Sequence, residues 1–293
     1  MPRFVVVGDH RRPIWCDWRA RNEIPRQLIF EKIAAERPEL VMDTGDLVPD
    51  ASESAWNLFD RDVEILGSAN IKIDAVPGNH ETYGWIPRSS NAEVRMAKFL
   101  LRFPRDTQQN WGRRDFYHIR FLLLDSNVRI LTKAQIHEQS EWIEKQASAA
   151  DADPNIKTVI AVWHHPPFTN TTTYGDDRFT SQTFLPRLRK LKKLGAIFCG
   201  HVHAYERFWV ESISMVVTGG GGAHRHRFAS DHLKWRHTPA FDAYALPNFH
   251  YICVDAGGGA DDYILHARVV HLDLSSGAAR WIDGDRFDIR PRE

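Results

Sequence analysis

Five separated segments of the chain carry side chains of the kinds that bind metal ions. They are Gly8-Asp9, Gly45-Asp46, Gly78-Asn79-His80-Glu81, His164-His165 and Gly200-His201-Val202-His203. Carboxylate, amide oxygen and imidazole donors together suit Mn, Fe or Zn, whereas a soft site would need thiolates. The residue types therefore indicate a metal centre with oxygen and nitrogen ligands, at which water can be activated for hydrolysis.

Each segment closely follows an apolar run with the length and composition of a β-strand. These runs are residues 4–7, 40–42, 71–76, 159–163 and 196–199. Ligands in open α/β sheets bind beyond the carboxyl ends of the strands, so parallel strands would bring all five segments to one edge. Gly-Asp and Gly-Asn, which occur in three of the segments, are singly more often simple turns, but all five polar segments at strand ends together favour a site.

Helical patterns alternate with these runs. They cover residues 26–37, 54–66, 93–103 and 133–149, and a further strand-like run lies at 121–124. This alternation is typical of strands joined by crossover helices in a sheet that is at least partly parallel. Leucine spacing also predicts a helix at 184–194, where the interspersed Arg and Lys favour a solvated face over a phosphate site.

The helical patterns give way after residue 205 to β-type runs separated by glycine clusters. These runs predict a second sheet that packs against the first. No shift in composition marks a linker, and the 43% hydrophobic content is ample for a large core. We therefore expect a single domain over residues 1–293, in which the mainly β part from about residue 208 completes the second sheet.

Composition argues against several classes of protein. Lys plus Arg and Asp plus Glu balance at 38 each, so no overall positive field attracts nucleic acid. No apolar run is long enough for a membrane span. The cysteines Cys16, Cys199 and Cys253 lack disulfide or zinc spacing and fit a reducing compartment. Residues 1–3 lead straight into an apolar run without a secretory signal, so we expect a cytoplasmic protein whose oligomeric state stays open.

The order Gly-Asp, Gly-Asp, Gly-Asn-His-Glu, His-His-Pro-Pro and Gly-His-Val-His resembles the calcineurin-like metallophosphoesterase superfamily over residues 4–222. The continuation Ala204-Tyr205-Glu206-Arg207 is similar to its purple acid phosphatase branch. The resemblance implies an α/β fold, a four-layer αββα sandwich with two packed mixed sheets. It also implies hydrolysis of a small-molecule phosphate ester at a centre of two divalent or trivalent metal ions, Fe, Mn or Zn.

The resemblance implies six metal ligands, which are Asp9, Asp46, Asn79, His164, His201 and His203. Asp46 would bridge the two metals, because a shared carboxylate can hold two cations about 3.5–4 Å apart. Asp9 and His203 would bind the first metal, whose set of ligands is incomplete in this chain. Asn79, His164 and His201 would bind the second. His80 would donate a proton to the leaving oxygen as general acid. His165 would face the substrate.

The chain departs from the family at the first metal. Most members place a histidine two residues after the first aspartate, where this chain has Arg11, and its histidine comes one residue early at His10. Purple acid phosphatases supply a tyrosine three residues after the bridging aspartate, where this chain has Pro49, so the iron–tyrosinate colour should be absent. His10, Arg11 or water are the candidates at this position. We favour Arg11 facing the site as a phosphate clamp, because its guanidinium fork matches phosphate oxygens.

Three functions remain in competition. A phosphomonoesterase is favoured by the continuation at residues 204–207, and a phosphodiesterase of the cyclic-nucleotide type is the alternative. A phospho-ligand binding module with an impaired first metal site is the third.

Two further features have open interpretations. The glycines at 219–222 either let backbone approach the metals or form a flexible turn. The side chains of Trp15, Trp18 and Trp85 either wall a cleft or pack in the core.

Overall fold

The computed structural model describes residues 1–14, 22–82, 92–210, 213–228, 249–259 and 262–291. The strands in these residues are β1 (Arg3–Val7), β2 (Leu40–Asp43), β3 (Lys72–Ala75), β4 (Gly112–Phe116), β5 (Ile119–Leu123), β6 (Thr158–Trp163), β7 (Leu194–Cys199), β8 (Tyr205–Val210), β9 (Ile213–Thr218), β10 (His250–Gly257), β11 (Ile264–Asp273) and β12 (Arg280–Ile289). The helices are α1 (Glu23–Glu36), α2 (Glu53–Asp62), α3 (Glu64–Ser68), α4 (Asn79–Thr82), α5 (Ala92–Arg102), α6 (Lys133–Ala152), α7 (Arg178–Thr183) and α8 (Leu185–Leu188).

The strands form two mixed sheets. The first has the order β12-β11-β10-β1-β2-β3 and the second the order β4-β5-β6-β7-β9-β8. Neighbouring strands are parallel from β1 to β3 and from β5 through β6 and β7 to β9. The predicted α/β class with two packed mixed sheets is therefore confirmed.

Two details of the predicted topology are wrong. The strand-like runs that precede the polar segments do not share one sheet, because those at 4–7, 40–42 and 71–76 lie in the first sheet and those at 159–163 and 196–199 in the second. After residue 208, only β8 and β9 extend the second sheet, while β10 to β12 join the first through antiparallel pairing of β10 with β1. Hydrophobic patterning shows that a strand is buried but not which edge it pairs with.

Helix boundaries follow local capping. The Ser52 side chain accepts a hydrogen bond from the Ala55 N–H at the start of α2, and Thr132 and Gln135 form a reciprocal capping box at the start of α6. The predicted helix at 54–66 divides at Val63 into α2 and α3. The predicted helix at 184–194 is shorter in the structure, where α8 covers only Leu185–Leu188. Its predicted last residue, Leu194, is instead the first residue of β7 and pairs with β6.

Helices cover the outer faces of both sheets and a shared core lies between them. Alternate residues of β1, such as Phe4 and Val6, point into this inter-sheet core, where Phe4 meets Phe121 of β5 edge to face with ring centroids 5.2 Å apart. Val5 and Val7 point the other way, against α1. On the far side α6 and α8 pack on the second sheet. Within the described segments, no helix combines the length and the apolar character needed to cross a bilayer.

Strand register brings the carboxyl ends of the parallel strands together. Val7 is level with Asp43, and Asp43 with Ala75, so the loops after β1, β2 and β3 begin side by side. Trp163 is level with Cys199 in the second sheet, so the loops after β6 and β7 also begin together. The two rows of loops meet at one end of the sandwich, and this meeting forms the candidate site.

Candidate metal centre

The structure brings all six predicted ligands together at this end of the sandwich. Asp9, Asp46 and Asn79 come from the first sheet, whereas His164, His201 and His203 come from the second. The two sheets are joined directly, because the backbone N–H of His201 donates to the Asp9 carboxylate at 2.9 Å. The site therefore exists only where the two sheets meet.

Three of these residues adopt backbone conformations that side-chain-bearing residues rarely visit. Asp9, Asp46 and His201 have φ values of 58°, 59° and 67°. Each such left-handed residue costs on the order of 1 kcal/mol, and such residues concentrate where function fixes the geometry. Gly45 precedes Asp46 at φ 97°, and a Cβ there would lie 2.9 Å from Nδ1 of His164, so only glycine fits.

One group of donor atoms surrounds the Asp9 carboxylate. Nε2 of His203 lies 3.5 Å from Oδ1 of Asp9, and donor atoms of Asp9, Asp46 and His203 lie within 4.8 Å of one another. All three side chains are buried. Nδ1 of His203 donates to the carbonyl oxygen of His224 at 2.6 Å, which leaves the Nε2 lone pair directed at the carboxylates.

A second group surrounds the side-chain oxygen of Asn79. Nε2 of His164 lies 3.1 Å from Oδ1 of Asn79 and 3.3 Å from Oδ1 of Asp46. Nδ1 of His201 lies 3.0 Å from the same oxygen of Asn79. Nδ1 of His164 donates to the carbonyl oxygen of Thr44 at 2.8 Å, so in the neutral ring Nε2 presents a lone pair to two oxygen acceptors. Lone pairs that converge in this way repel unless a cation or a proton lies between them, and the donor set therefore fits a metal ion.

Electrostatics support the same conclusion. Burial favours the neutral form of Asp9, and together with the nearby Asp46 carboxylate it raises the pKa of Asp9 to about 8. Burial works to lower the pKa of His164, but the carboxylates of Asp46 and Asp9 raise it to about 10. Burial also opposes ionisation of Asp46, but His164 and His80 hold its pKa well below the usual range. Positive charge at this position stabilises the buried carboxylates, whether a proton or a metal ion supplies it.

Glu81 locks two of the ligand-bearing loops together. Oε2 of its carboxylate accepts hydrogen bonds from the N–H groups of Gly78 at 2.7 Å and Asp46 at 3.0 Å. Oε1 accepts from Leu47 at 2.8 Å and Val48 at 3.1 Å. Glu81 is fully buried, and burial with the Asp46 charge raises its pKa to about 7. One carboxylate therefore fixes the turn that carries Asp46 and the turn that carries Asn79.

His10 and Arg11 point in different directions after Asp9, as the alternation of an extended chain predicts. Nε2 of His10 lies 2.7 Å from Oδ2 of Asp43, and its ring packs between Phe30 and Phe59, away from the predicted ligands. Arg11 is buried beside them. After burial, its charge is the main influence that lowers the pKa of His203, to about 3. The geometry disfavours His10 as a ligand and places the positive charge of Arg11 beside the predicted ligands.

His80 and His165 flank the two groups of donors. The backbone N–H of His80 donates to Oδ1 of Asp46 at 3.0 Å, its Nδ1 lies 2.7 Å from the carbonyl oxygen of Pro49, and its Nε2 lies 3.8 Å from Oδ2 of Asp46. The ring of His165 lies 4.6 Å from that of His201. Burial and the charge of His164 lower the pKa of His165 to about 3, so this imidazole is neutral.

Two aromatic side chains at the site were missed by the sequence analysis. The Tyr174 ring lies 4.2 Å from that of His201 and is 42% exposed. His226 is buried, and its ring stacks on that of His203 with ring centroids 4.0 Å apart. Tyr174 lies in a long loop without periodic pattern, so no local signal marks it. Histidines at 224 and 226 directly after the glycine cluster were the available signal for His226.

The glycine cluster supports the close-approach interpretation. A Cβ on Gly219 would collide with the carbonyl group of Val202 and lie 2.9 Å from Oδ2 of Asp9. The loop therefore runs against the candidate ligands, where no larger residue fits. Trp15, Trp18 and Trp85 lie outside the described residues.

Sequence comparisons show which known proteins this chain resembles. The sequence model of the calcineurin-like phosphoesterases matches residues 2–205. A protein of Fibrobacter succinogenes named "Probable cyclic nucleotide phosphodiesterase" is 24% identical over 183 residues, which is 61% of this chain and 63% of that protein. One of Arcobacter nitrofigilis named "Probable glycerophosphodiester phosphodiesterase GpdQ" is 24% identical over 204 residues, 64% of this chain and 65% of that protein. The chain thus spans less than two thirds of the length of these relatives.

A solved structure shares the fold. The purple acid phosphatase PPD1 from yellow lupin (Lupinus luteus) seeds superimposes with a TM-score of 0.73 at 19% identity, and the match covers 99% of this chain and 54% of that one. At this identity the likeness concerns the fold alone.

Replacing Glu81 with glutamine should destabilise the protein and empty the metal centre. The amide nitrogen would face two backbone N–H donors that now bind a carboxylate oxygen, so the free energy of unfolding should fall by about 3 kcal/mol. Urea denaturation and metal analysis measure the two effects. The matched control is Glu53→Gln on the exposed start of α2, which should change stability by less than about 0.5 kcal/mol. An unchanged metal content in Glu81→Gln would contradict the proposed role of Glu81.

Metal binding should release protons at pH 7. With pKa values of about 8 for Asp9 and about 10 for His164, both groups hold protons in the metal-free protein and must lose them to bind a cation. The affinity should therefore rise as the pH increases through this range. Calorimetric titration with Zn²⁺ in buffers of different ionisation enthalpy measures the release, and exposed His137→Gln should leave it unchanged. Binding without net proton release at pH 7 would refute this linkage.

Proposed function

Because the chain belongs to the calcineurin-like phosphoesterase family, we propose that it hydrolyses phosphate esters of small molecules at a dinuclear metal centre. The observation that carries the proposal is the convergence of carboxylate, amide and imidazole donors from both sheets, where Asp46 lies between the two groups of donor atoms. A binding module has no need of a histidine such as His80 beside this centre.

Two cations would divide the six predicted residues between them. Asp9 and His203 would hold the first, Asn79, His164 and His201 would hold the second, and Asp46 would be shared by both. Fe, Mn and Zn all suit this donor set. When bound, two such cations supply Lewis-acid activation of water and neutralise charge on the phosphoryl group.

Side chains of this chain orient the ester and manage the proton of the leaving group. Arg11 binds phosphoryl oxygens through its guanidinium fork, which fits the doubly charged group of a monoester. His165 donates a hydrogen bond to the same group. His80 donates a proton from Nε2 to the leaving oxygen.

The acid role of His80 has a consequence for pH dependence. Nδ1 of His80 donates to the carbonyl oxygen of Pro49, so only the doubly protonated ring carries a proton on Nε2. Burial, despite the opposing charge of Asp46, lowers the pKa of His80. The donor form is therefore lost as the pH rises through a value below the ordinary pKa of histidine. Hydrolysis of esters that need this proton should be favoured at acidic pH.

The phosphomonoesterase remains the favoured activity, but the hydrogen bonds of residues 205–207 connect β8 to β12 and to the loop at 169–170. Tyr205 and Arg207 both donate hydrogen bonds to Asp285 of β12, and the buried Glu206 carboxylate accepts from Thr169 and Asn170. Monoester preference rests instead on buried Arg11. A phosphodiesterase is the second candidate, because the two relatives at 24% identity carry phosphodiesterase names.

The decisive assay compares nitrophenyl phosphate with bis-nitrophenyl phosphate. Protein stripped of metal and reloaded with Mn²⁺, Fe²⁺ or Zn²⁺ should hydrolyse the monoester faster, with about two metal ions bound per chain. Arg11→Lys should weaken monoester hydrolysis more than diester hydrolysis, because the bidentate contact is lost. Faster diester hydrolysis would favour the second candidate. Tight phosphate binding without turnover for any metal would identify a binding module.

Replacing His80 with asparagine should slow turnover while the metal content stays at the wild-type level. The loss should be about 10²–10⁴-fold for an alkyl phosphate, whose leaving group needs a proton, and much smaller for nitrophenyl phosphate. The acidic preference for the alkyl ester should also disappear. His118→Asn, a substitution on the exposed face far from the site, is the control. Loss of metal from His80→Asn would make His80 a ligand and overturn the acid role.

A further inference from the structure

His164 and His165 are adjacent, but their rings have different hydrogen-bond partners. Nδ1 of His164 faces the carbonyl oxygen of Thr44, which can only accept, so the proton of the neutral ring lies on Nδ1. Nε2 of His164 then offers its lone pair to a metal. Nδ1 of His165 instead lies 2.8 Å from Oγ of Ser126, a hydroxyl that can donate or accept.

A second contact determines whether the Ser126 hydroxyl donates to Nδ1 of His165 or accepts from it. The backbone N–H of His165 donates to Oγ of Ser126 at 3.1 Å, so this oxygen already accepts one hydrogen bond. Ser126 is 1% exposed, and among the described residues both hydrogen bonds of its hydroxyl are with His165. If Nδ1 of His165 also donated, the hydroxyl proton would be buried without an acceptor. The hydroxyl therefore donates to Nδ1, and the proton of the neutral imidazole lies on Nε2.

Hydrogen bonds of the neighbouring residues fix the position of Ser126. It follows β5 at the same end of the second sheet as His164 and His201. The buried Gln139 side chain of α6 pairs with both backbone groups of Asp125, at 2.8 Å from the N–H and 3.0 Å from the carbonyl oxygen. The Asp125 carboxylate in turn accepts from the N–H of Asn127 at 2.9 Å. The turn is thus held on both sides of the serine.

We propose that Ser126 is a positioning residue that holds His165 in the Nε2–H tautomer. In this form His165 presents a hydrogen-bond donor to a non-bridging phosphoryl oxygen of the substrate, and it offers no Nε2 lone pair that competes with His164 for metal. The ring of His165 lies beside that of His201, and donor atoms of His164, His165 and His201 lie within 4.8 Å of one another, so a wrong tautomer would place an additional ligand at the second metal. The contact with phosphate rests on the proposed function, whereas the tautomer does not.

Nuclear magnetic resonance of ¹⁵N-histidine-labelled protein tests the tautomer directly. Long-range ¹H–¹⁵N correlations identify which ring nitrogen carries the proton, and His165→Gln assigns the signals. We expect Nε2–H for His165 in both metal-free and Zn²⁺-loaded protein. Ser126→Ala should give a mixture of tautomers, and Ser126→Thr, which keeps the hydroxyl, should restore Nε2–H. Ser140→Ala removes another buried hydroxyl, on α6, and should leave His165 unchanged.

Kinetics test the second half of the proposal. Ser126→Ala should lower kcat/KM for the monoester about tenfold, mainly through a higher KM, with partial rescue by Ser126→Thr. An Nδ1–H signal for His165 in the wild-type protein would overturn the proposal, even if Ser126→Ala failed to fold. So would an unchanged tautomer in folded Ser126→Ala. The expected tautomers without hydrolysis by any metal form would refute the proposed function and the phosphate contact, but not the positioning role of Ser126.

Discussion

The burial of two carboxylates at the junction of the two sheets is the constraint on which the rest of the site depends. Asp9 and Asp46 have almost no contact with solvent, and like charges so placed are stable only beside positive charge. His164 meets this requirement when it is protonated, and metal ions meet it more completely. The first sheet thus supplies the buried carboxylates, and the second sheet supplies the imidazole groups that stabilise them.

Holding these groups in place has a cost in backbone strain, which the surroundings offset. Asp9, Asp46 and His201 all adopt left-handed backbone conformations, and each is fixed by hydrogen bonds to or from the other ligand loops. Glu81 contributes most visibly, since one buried carboxylate satisfies four backbone N–H groups from two turns. A rigid arrangement of this kind holds the predicted ligands together in the fold itself, so metal binding would require little reorganisation.

The histidines around the centre are chemically alike, but they differ in the hydrogen-bond partner of one ring nitrogen. That partner determines which nitrogen of the neutral ring carries the proton. Backbone carbonyl oxygens beside His164 and His203 direct a lone pair toward the centre. The hydroxyl of Ser126 faces Nδ1 of His165, and the backbone N–H of His203 faces Nδ1 of His226. In both pairs Nδ1 of the imidazole is the acceptor. In the proposed function, the surrounding hydrogen bonds thus separate histidines that would bind metal from those that would donate a hydrogen bond.

The sequence by itself determined the fold class, the strand-like runs and the identity of the six converging residues. Strand burial and polar residues at strand ends are local properties that can be read from one chain, and the family resemblance selected the six residues among those polar ones. The tertiary structure alone decided that β10 to β12 pair with β1, because the pairing edge of a strand leaves no trace in its pattern of burial. It alone decided that His10 turns to Asp43 while Arg11 stays beside the ligands, and that Tyr174 and His226 reach the site. Which nitrogen of each histidine faces the centre also depends on partners as distant in sequence as Thr44 is from His164, and such contacts arise only when the sheets meet.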